Sequence, residues 1–189
     1  WKIMLNNAVI NDLEFEYTVV QREIKYPRLE LKTGNLLLVV PKGYKNPEQL
    51  IEGHEDWIYN KLSVIKESQK RSQEKSLNLE RDDKDLKEIV LSFVEEFSHE
   101  LNVKSNRITL RNMKSKWGSC SSKGNMNFNK LLKYLPEELI KYVVLHEMVH
   151  ILEKKHNKNF WRIISDKFSD YEIKEKDLMD YWFLIQSDV

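Results

Sequence analysis

One stretch constrains this chain more than any other. From Pro136 to Leu152 it reads PEELIKYVVLHEMVHIL. The proline and the two glutamates after it suit the first turn of a helix. An α-helix advances about 100° per residue. On that wheel Leu139, Ile140, Val143, Val144, Leu145, Met148, Val149, Ile151 and Leu152 cover most of the circumference. A surface helix carries a single apolar stripe, so a helix this apolar is expected at the centre of a domain. It nevertheless carries two histidines and a carboxylate. With Leu139 at zero, His146 falls at about 340°, His150 at about 20° and Glu147 at about 80°. Polar groups buried side by side need something to compensate them.

A metal ion is the simplest compensation. His146 and His150 stand one turn apart, so both rings can reach one ion. Zinc accepts neutral imidazole nitrogen at about 2.0–2.1 Å and keeps an open position when catalytic. Glu147 lies off the ligand line, placed to reach a water held by the metal and not the metal itself. That is the H-E-x-x-H spacing of zinc peptidases. A third ligand is still required. On an unbroken helix His156 falls about 240° from His150, so it qualifies only if the helix ends near Lys155 and the chain curls back. Lys154 and Lys155 suit a helix C-terminus, and Asn157 tolerates a left-handed turn. Glu153, at about 320°, is in line with both histidines: a ligand, a partner behind the ligands or a surface acid. Geometry leaves both candidates open.

Composition sets the outer bounds. The 189 residues fit one domain with an appendage or two small domains. A net charge of +1 gives no global electrostatic case for nucleic acid or acidic lipid. The single cysteine, Cys120, excludes an internal disulfide and suits a reducing cytosol, so a cytoplasmic location is expected. No apolar run approaches the roughly 20 residues that span a bilayer, so no membrane association is expected. The opening Trp1-Lys2-Ile3 has neither a secretion-signal pattern nor an initiator methionine and reads as a trimmed start. Nothing in the pattern sets an oligomeric state.

The period of the pattern changes along the chain. Phe15, Tyr17 and Val19 alternate with polar residues, and Leu29–Leu31 and Leu36–Val40 flank a plausible turn at Thr33-Gly34-Asn35. Residues 1–46 are therefore read as an antiparallel β module. Asn46-Pro47-Glu48 opens a helix carried by Leu50, Ile51, Trp57, Ile58, Leu62 and Ile65. From Lys66 to Lys87 the chain turns strongly polar, with charges of mixed sign, and reads as a solvated helix end and flexible join. Residues 47–84 thus form a linking helix and polar join. Residues 85–189 are read as the catalytic domain: a helix striped by Leu86, Ile89, Val90, Phe93, Val94, Phe97 and Leu101, strands at Arg107–Met113 and Asn125–Asn129, the histidine helix, and two closing helices at 160–168 and 173–185. The fold class is α+β. His54 and His99 fall on solvated helix faces, and Phe160 and Trp161 suit a core better than a substrate pocket. Tyr142, Tyr171 and Tyr181 are candidate oxyanion donors.

The segment RNMKSKWGSCSSKGNMNFNKLLKYLPEELIKYVVLHEMVHILEKKHNKNFW, Arg111 to Trp161, resembles the YgjP-like metallopeptidase family, once called DUF45. That family resembles the SprT-like and WLM peptidases among the zincins. The W-G-S-C loop, a short strand, H-E-x-x-H-x5-H and a following F-W are all present at matching spacing. VVPKGYKNPEQLIEGHEDWIYNKL upstream resembles the family's N-terminal β module and linking helix. The resemblance implies a minimal zincin-like metallopeptidase domain, one zinc ion on His146, His150 and His156, and Glu147 as catalytic acid/base. Asn157 stands where a serine is common. It implies a peptide or protein substrate, and the strand Asn125–Asn129 reads either as the edge along which such enzymes lay an extended peptide or as a plain internal strand.

Around the W-G-S-C loop, Trp117 is expected beneath the active helix and Gly118 in a tight turn. The serines and Cys120 are expected to be satisfied by the turn, with Cys120 as ligand or nucleophile the sharper possibility. Two other functions compete. Lys114, Lys116 and Lys123 among hydroxyls and glycines could hold phosphate, as in a metal-dependent nucleotide pyrophosphohydrolase. A zinc-containing DNA- or protein-binding module without turnover is the other, although the balanced charge argues against strong DNA affinity.

Overall fold

A computed structural model of the chain describes residues 5–32 and 34–188. It divides into two compact units, Trp1–Lys70 and Arg71–Val189. The trimmed-start reading at Trp1-Lys2-Ile3 and Thr33 of the hairpin turn lie outside the described residues. No described helix is long and apolar enough to cross a membrane.

The first unit holds strands β1 (Leu5–Ile10), β2 (Leu13–Arg22), β3 (Arg28–Lys32) and β4 (Asn35–Pro41), then helices α1 (Gln49–Glu52) and α2 (Glu55–Ser72), whose last two residues belong to the second unit. The sheet order is β1-β2-β4-β3. β3 and β4 form the expected antiparallel hairpin, with Lys32 opposite Asn35 and Gly34 at φ 85°. One pairing departs from the all-antiparallel expectation: β2 and β4 run parallel. The cause is visible in the residues. β4 buries Leu36, Leu38, Val39 and Val40, so it takes the central position. β3 carries Arg28 and Glu30, which pair with each other at 2.7 Å, and charged strands belong at edges. The expected helix start at Asn46 is delayed to Gln49, because Asn46 takes a left-handed φ of 54°. Ile58, Leu62 and Ile65 form the buried stripe of α2.

The second unit holds α3 (Asp83–Leu101), β5 (Ile108–Arg111), β6 (Gly118–Cys120), β7 (Met126–Asn129), a 3₁₀ turn (Lys130–Tyr134), α4 (Glu137–Leu152), α5 (Lys158–Lys167) and α6 (Tyr171–Asp188). α3 starts at a capping box between Asp82 and Asp85 and ends at Asn102 with φ 50°. Its stripe of Leu86, Val90, Val94 and Phe97 is buried. α4 packs against α3, β6, α5 and α6, which is why it is apolar on nearly every face. The α+β class expected from the sequence is the class observed.

Two sequence expectations are corrected here. The polar stretch read as a flexible join is tied down within this unit. Arg71 makes two bonds to the buried Asp180 at 2.9 and 3.0 Å, Lys75 meets Asp177 at 2.7 Å, and Arg81 donates to the carbonyls of Lys133 and Leu135 at 3.1 and 2.8 Å. Its mixed charges are those of a segment with fixed partners on α6 and beside the 3₁₀ turn. The second correction concerns the expected edge strand. The sheet order is β5-β7-β6, so β7 is central, flanked by β5 in parallel and β6 in antiparallel. The edge beside α4 is β6, the three residues of the W-G-S-C loop that pattern alone leaves unassigned.

Candidate metal centre

The end of α4 decides the third imidazole. The helix stops at Leu152, and Glu153 turns to an extended φ of −127°. The Glu153 carboxylate accepts hydrogen bonds from Asn157 Nδ2 at 3.0 Å and from Asn159 Nδ2. These two bonds hold it below the usual carboxylate range. Asn157 in turn caps α5, accepting from the Phe160 amide at 2.9 Å. Glu153 is thus committed to bracing the turn and does not join the histidines. That turn brings His156 back to the face it would miss on a continuous helix.

His146, His150 and His156 each offer a nitrogen, and all three atoms lie within 4.8 Å of one another. His146 Nε2 and His156 Nε2 are 3.0 Å apart, close to the ~3.3 Å between two nitrogens that share one tetrahedral zinc. His150 Nδ1 is 3.0 Å from the Glu153 carbonyl oxygen. A carbonyl only accepts, so Nδ1 carries the proton and Nε2 keeps its lone pair. Burial pushes His146 down to about 3, helped by the nearby His150 and His156 rings. His150 is lowered too, by burial and then by His156, with its bond to the Glu153 carbonyl opposing. Neutral rings are the form a metal requires. The donor set therefore fits a borderline-soft divalent ion such as zinc. Phe160 lies 4.8 Å from the His150 ring and 4.7 Å from the His156 ring, centroid to centroid, and Trp161 stacks on Tyr171 at 5.1 Å. These aromatics wall in the three imidazole rings, a role compatible with the core reading of Phe160, which is fully buried.

Glu147 sits beside this cluster, 7% exposed. Burial pushes its carboxyl up to about 7, against the opposing pull of Lys116. It packs directly over Gly118. A Cβ at that glycine would lie 2.7 Å from Glu147 Cγ and Oε1. Gly118 does not have a positive φ, so the tight-turn reading is corrected: the glycine is required by the approach of Glu147. Cys120 does not belong to the histidine cluster. Burial, then the neighbouring Glu147, pushes its thiol up to about 11, the opposite of an activated nucleophile. Trp117 packs edge-on against Trp182 at 5.0 Å.

The cluster lines a cavity of about 560 Å³ bounded on one side by residues 116–122 and on the other by Tyr142, Glu175 and Leu178. Lys116 reaches it, whereas Lys114 and Lys123 do not. Of the three candidate tyrosines Tyr142 lines the cavity, and its hydroxyl donates to Glu175 at 2.6 Å. His54 and His99 are exposed and remote in sequence from the cluster, and His54 bonds the Leu50 carbonyl at 2.8 Å. Sequence reasoning missed two builders. Asn129 is fully buried, and its amide donates to the carbonyls of Met113 and Lys116 at 2.9 and 2.8 Å while its oxygen accepts from the Leu131 amide at 3.2 Å. It fixes the loop that delivers Gly118. Its only sequence signal is the asparagine alternation in MNFN. Glu175 carries no local signal, since α6 reads as an ordinary closing helix.

The family profile described as "YgjP-like, metallopeptidase domain" matches residues 79–181, more than half of the chain. Two solved structures are similar. One is the metallopeptidase zymogen jannalysin of Methanocaldococcus jannaschii, at 30% identity over 53% of this chain and 97% of that one, with a TM-score of 0.43. The other is the metallopeptidase zymogen abylysin of Pyrococcus abyssi, at 24% identity over 46% of this chain and 87% of that one, with a TM-score of 0.42. No curated protein matches. The matched segment contains α3 through most of α6 and every residue of the histidine cluster, and the chain belongs to the YgjP-like metallopeptidase family.

Proposed function

We propose that the chain is a zinc-dependent peptidase in which His146, His150 and His156 hold one ion and Glu147 is the general base. The observation that carries this is the convergence of three imidazole nitrogens within 4.8 Å next to a buried carboxylate that accepts no hydrogen bond from any described residue. Zinc bound there would polarise the scissile carbonyl and acidify water. Glu147 takes a proton from the attacking water and passes it to the leaving nitrogen. Burial pushes its carboxyl up to about 7; the charge of a nearby dication acts in the opposite direction and favours the carboxylate that takes the proton. The His150–Glu153 bond holds one ligand in the right tautomer.

An extended peptide substrate would lie along β6. Among the described residues β6 pairs only with β7, and Ser119 and Cys120 line the cavity. Backbone pairing to such an edge gives affinity with little demand on sequence. The nucleotide alternative has weaker support, because one lysine of the expected phosphate cradle reaches the cavity. The balanced net charge likewise leaves a DNA-binding module without a supporting feature.

Metal analysis paired with an unbiased peptide-library digest tests the proposal. The wild type and Glu147→Gln should both carry one zinc per chain. The variant should cleave about 10²–10⁴-fold more slowly. Equal turnover by the variant would remove Glu147 from the mechanism, and release of pyrophosphate from nucleotides with no peptide cleavage would reverse the choice of substrate.

A further inference from the structure

A histidine that binds a metal through one nitrogen leaves the other in need of a partner, and that partner sets the tautomer and orientation of the ring. His150 has its partner in the Glu153 carbonyl. His146 faces His156 through Nε2, so its Nδ1 is the nitrogen to be held. That atom lies 3.7 Å from Glu175 Oε1. The same oxygen accepts the Tyr142 hydroxyl at 2.6 Å. Tyr142 is one turn before His146 on α4 and fully buried, and the two rings meet edge-on with centroids 6.3 Å apart. One carboxylate oxygen is therefore pinned by a rigid phenol beside the free nitrogen of a ligand ring. A shift of about 1 Å converts the contact into a hydrogen bond.

We propose that Glu175 is the positioning residue of His146: its Oε1, held by Tyr142, accepts the Nδ1 proton and fixes the ring for metal binding. This rests on the three-histidine reading above. The arrangement gives the two helix histidines different supports, a backbone carbonyl for His150 and a carboxylate for His146. A carboxylate is the stronger support, since it raises the basicity of the ring as well as orienting it.

The test uses the full chain with Glu175→Ala, Glu175→Gln and Tyr142→Phe. Zinc affinity is measured by chelator competition, the visible spectrum of the cobalt(II)-loaded protein is recorded, and the metal-free protein is melted. Glu175→Ala should weaken zinc binding about 10–100-fold and alter the cobalt bands, while the metal-free protein stays folded and melts lower only by what the Tyr142 hydroxyl loses with its acceptor. Glu175→Gln keeps an oxygen acceptor and should recover most of the affinity. Tyr142→Phe should fall between the two. Wild-type zinc affinity and cobalt spectrum in Glu175→Ala would overturn the inference, and a rise confined to KM for substrates with basic side chains would reassign Glu175 to substrate recognition. A folded wild type that binds no divalent ion would instead remove the metal reading on which it stands.

Discussion

Two segments meet at the cavity and build it by opposite means. α4 contributes side chains: His146, Glu147 and His150 project from a rigid, buried helix. β6 contributes a place where a side chain is missing. Gly118 lets the Glu147 carboxylate settle against its backbone, and the strand leaves its outer edge unpaired among the described residues. The Glu147 carboxylate is thus positioned from both sides. Its own helix sets its direction, and the glycine opposite sets its depth.

Breaking the helical half should have the largest effect. His150→Ala removes one of the three proposed ligands and should cost more zinc affinity than the ~10–100-fold of an outer partner, with activity falling to background; metal content after dialysis is the check. Breaking the strand half should leave the metal and damage the chemistry. Gly118→Ala pushes a methyl into Glu147, and a displacement of about 1 Å can cost on the order of 10²-fold in turnover. Zinc stoichiometry should stay at one. Zinc loss in that variant would mean that the two halves are not separable.

Asn129→Ala should weaken the support behind β6. It strips partners from the Met113 and Lys116 carbonyls and the Leu131 amide, at about 0.5–1.5 kcal/mol for each bond lost, measurable as a lower urea midpoint together with slower turnover. The smallest effect belongs to Cys120. Cys120→Ser should keep zinc and hold activity within about twofold, as expected of a side chain outside the reacting set. In the metal-free wild type, alkylation should be slow at pH 8 and should rise toward pH of about 11. The native state holds this proton more tightly than the unfolded chain, so stability from the site is present below the ordinary thiol value and is lost as pH rises toward about 11. Rapid alkylation at neutral pH would contradict the burial assigned to the thiol.

What could be read from the sequence follows the same division. The helix was legible because its apolar residues and its histidines obey one period, and the stripe of α3 was legible for the same reason. The return of His156 was only half legible. Lys154, Lys155 and Asn157 marked a stop, but the brace is a carboxylate, Glu153, whose position on the wheel made it look like a rival ligand. β6 was not legible because three residues are too few to show alternation and its contribution is backbone. The placement of β7 failed with it, since a strand becomes central only when its neighbour is known. The parallel pairing of β2 with β4 could have been argued from the charges on β3. The link from Tyr142 through Glu175 to His146 joins positions 33 and 29 residues apart in sequence (142 to 175 and 146 to 175), and no local pattern encodes it.

The central claim is that three imidazoles share one ion beside Glu147. X-ray absorption at the zinc edge of the purified, zinc-loaded chain tests it most directly. Three imidazole nitrogens are expected at about 2.0–2.1 Å, with a light oxygen or nitrogen donor completing the shell. A sulfur scatterer at about 2.3 Å, which would bring Cys120 to the metal, or fewer than three imidazoles would contradict it.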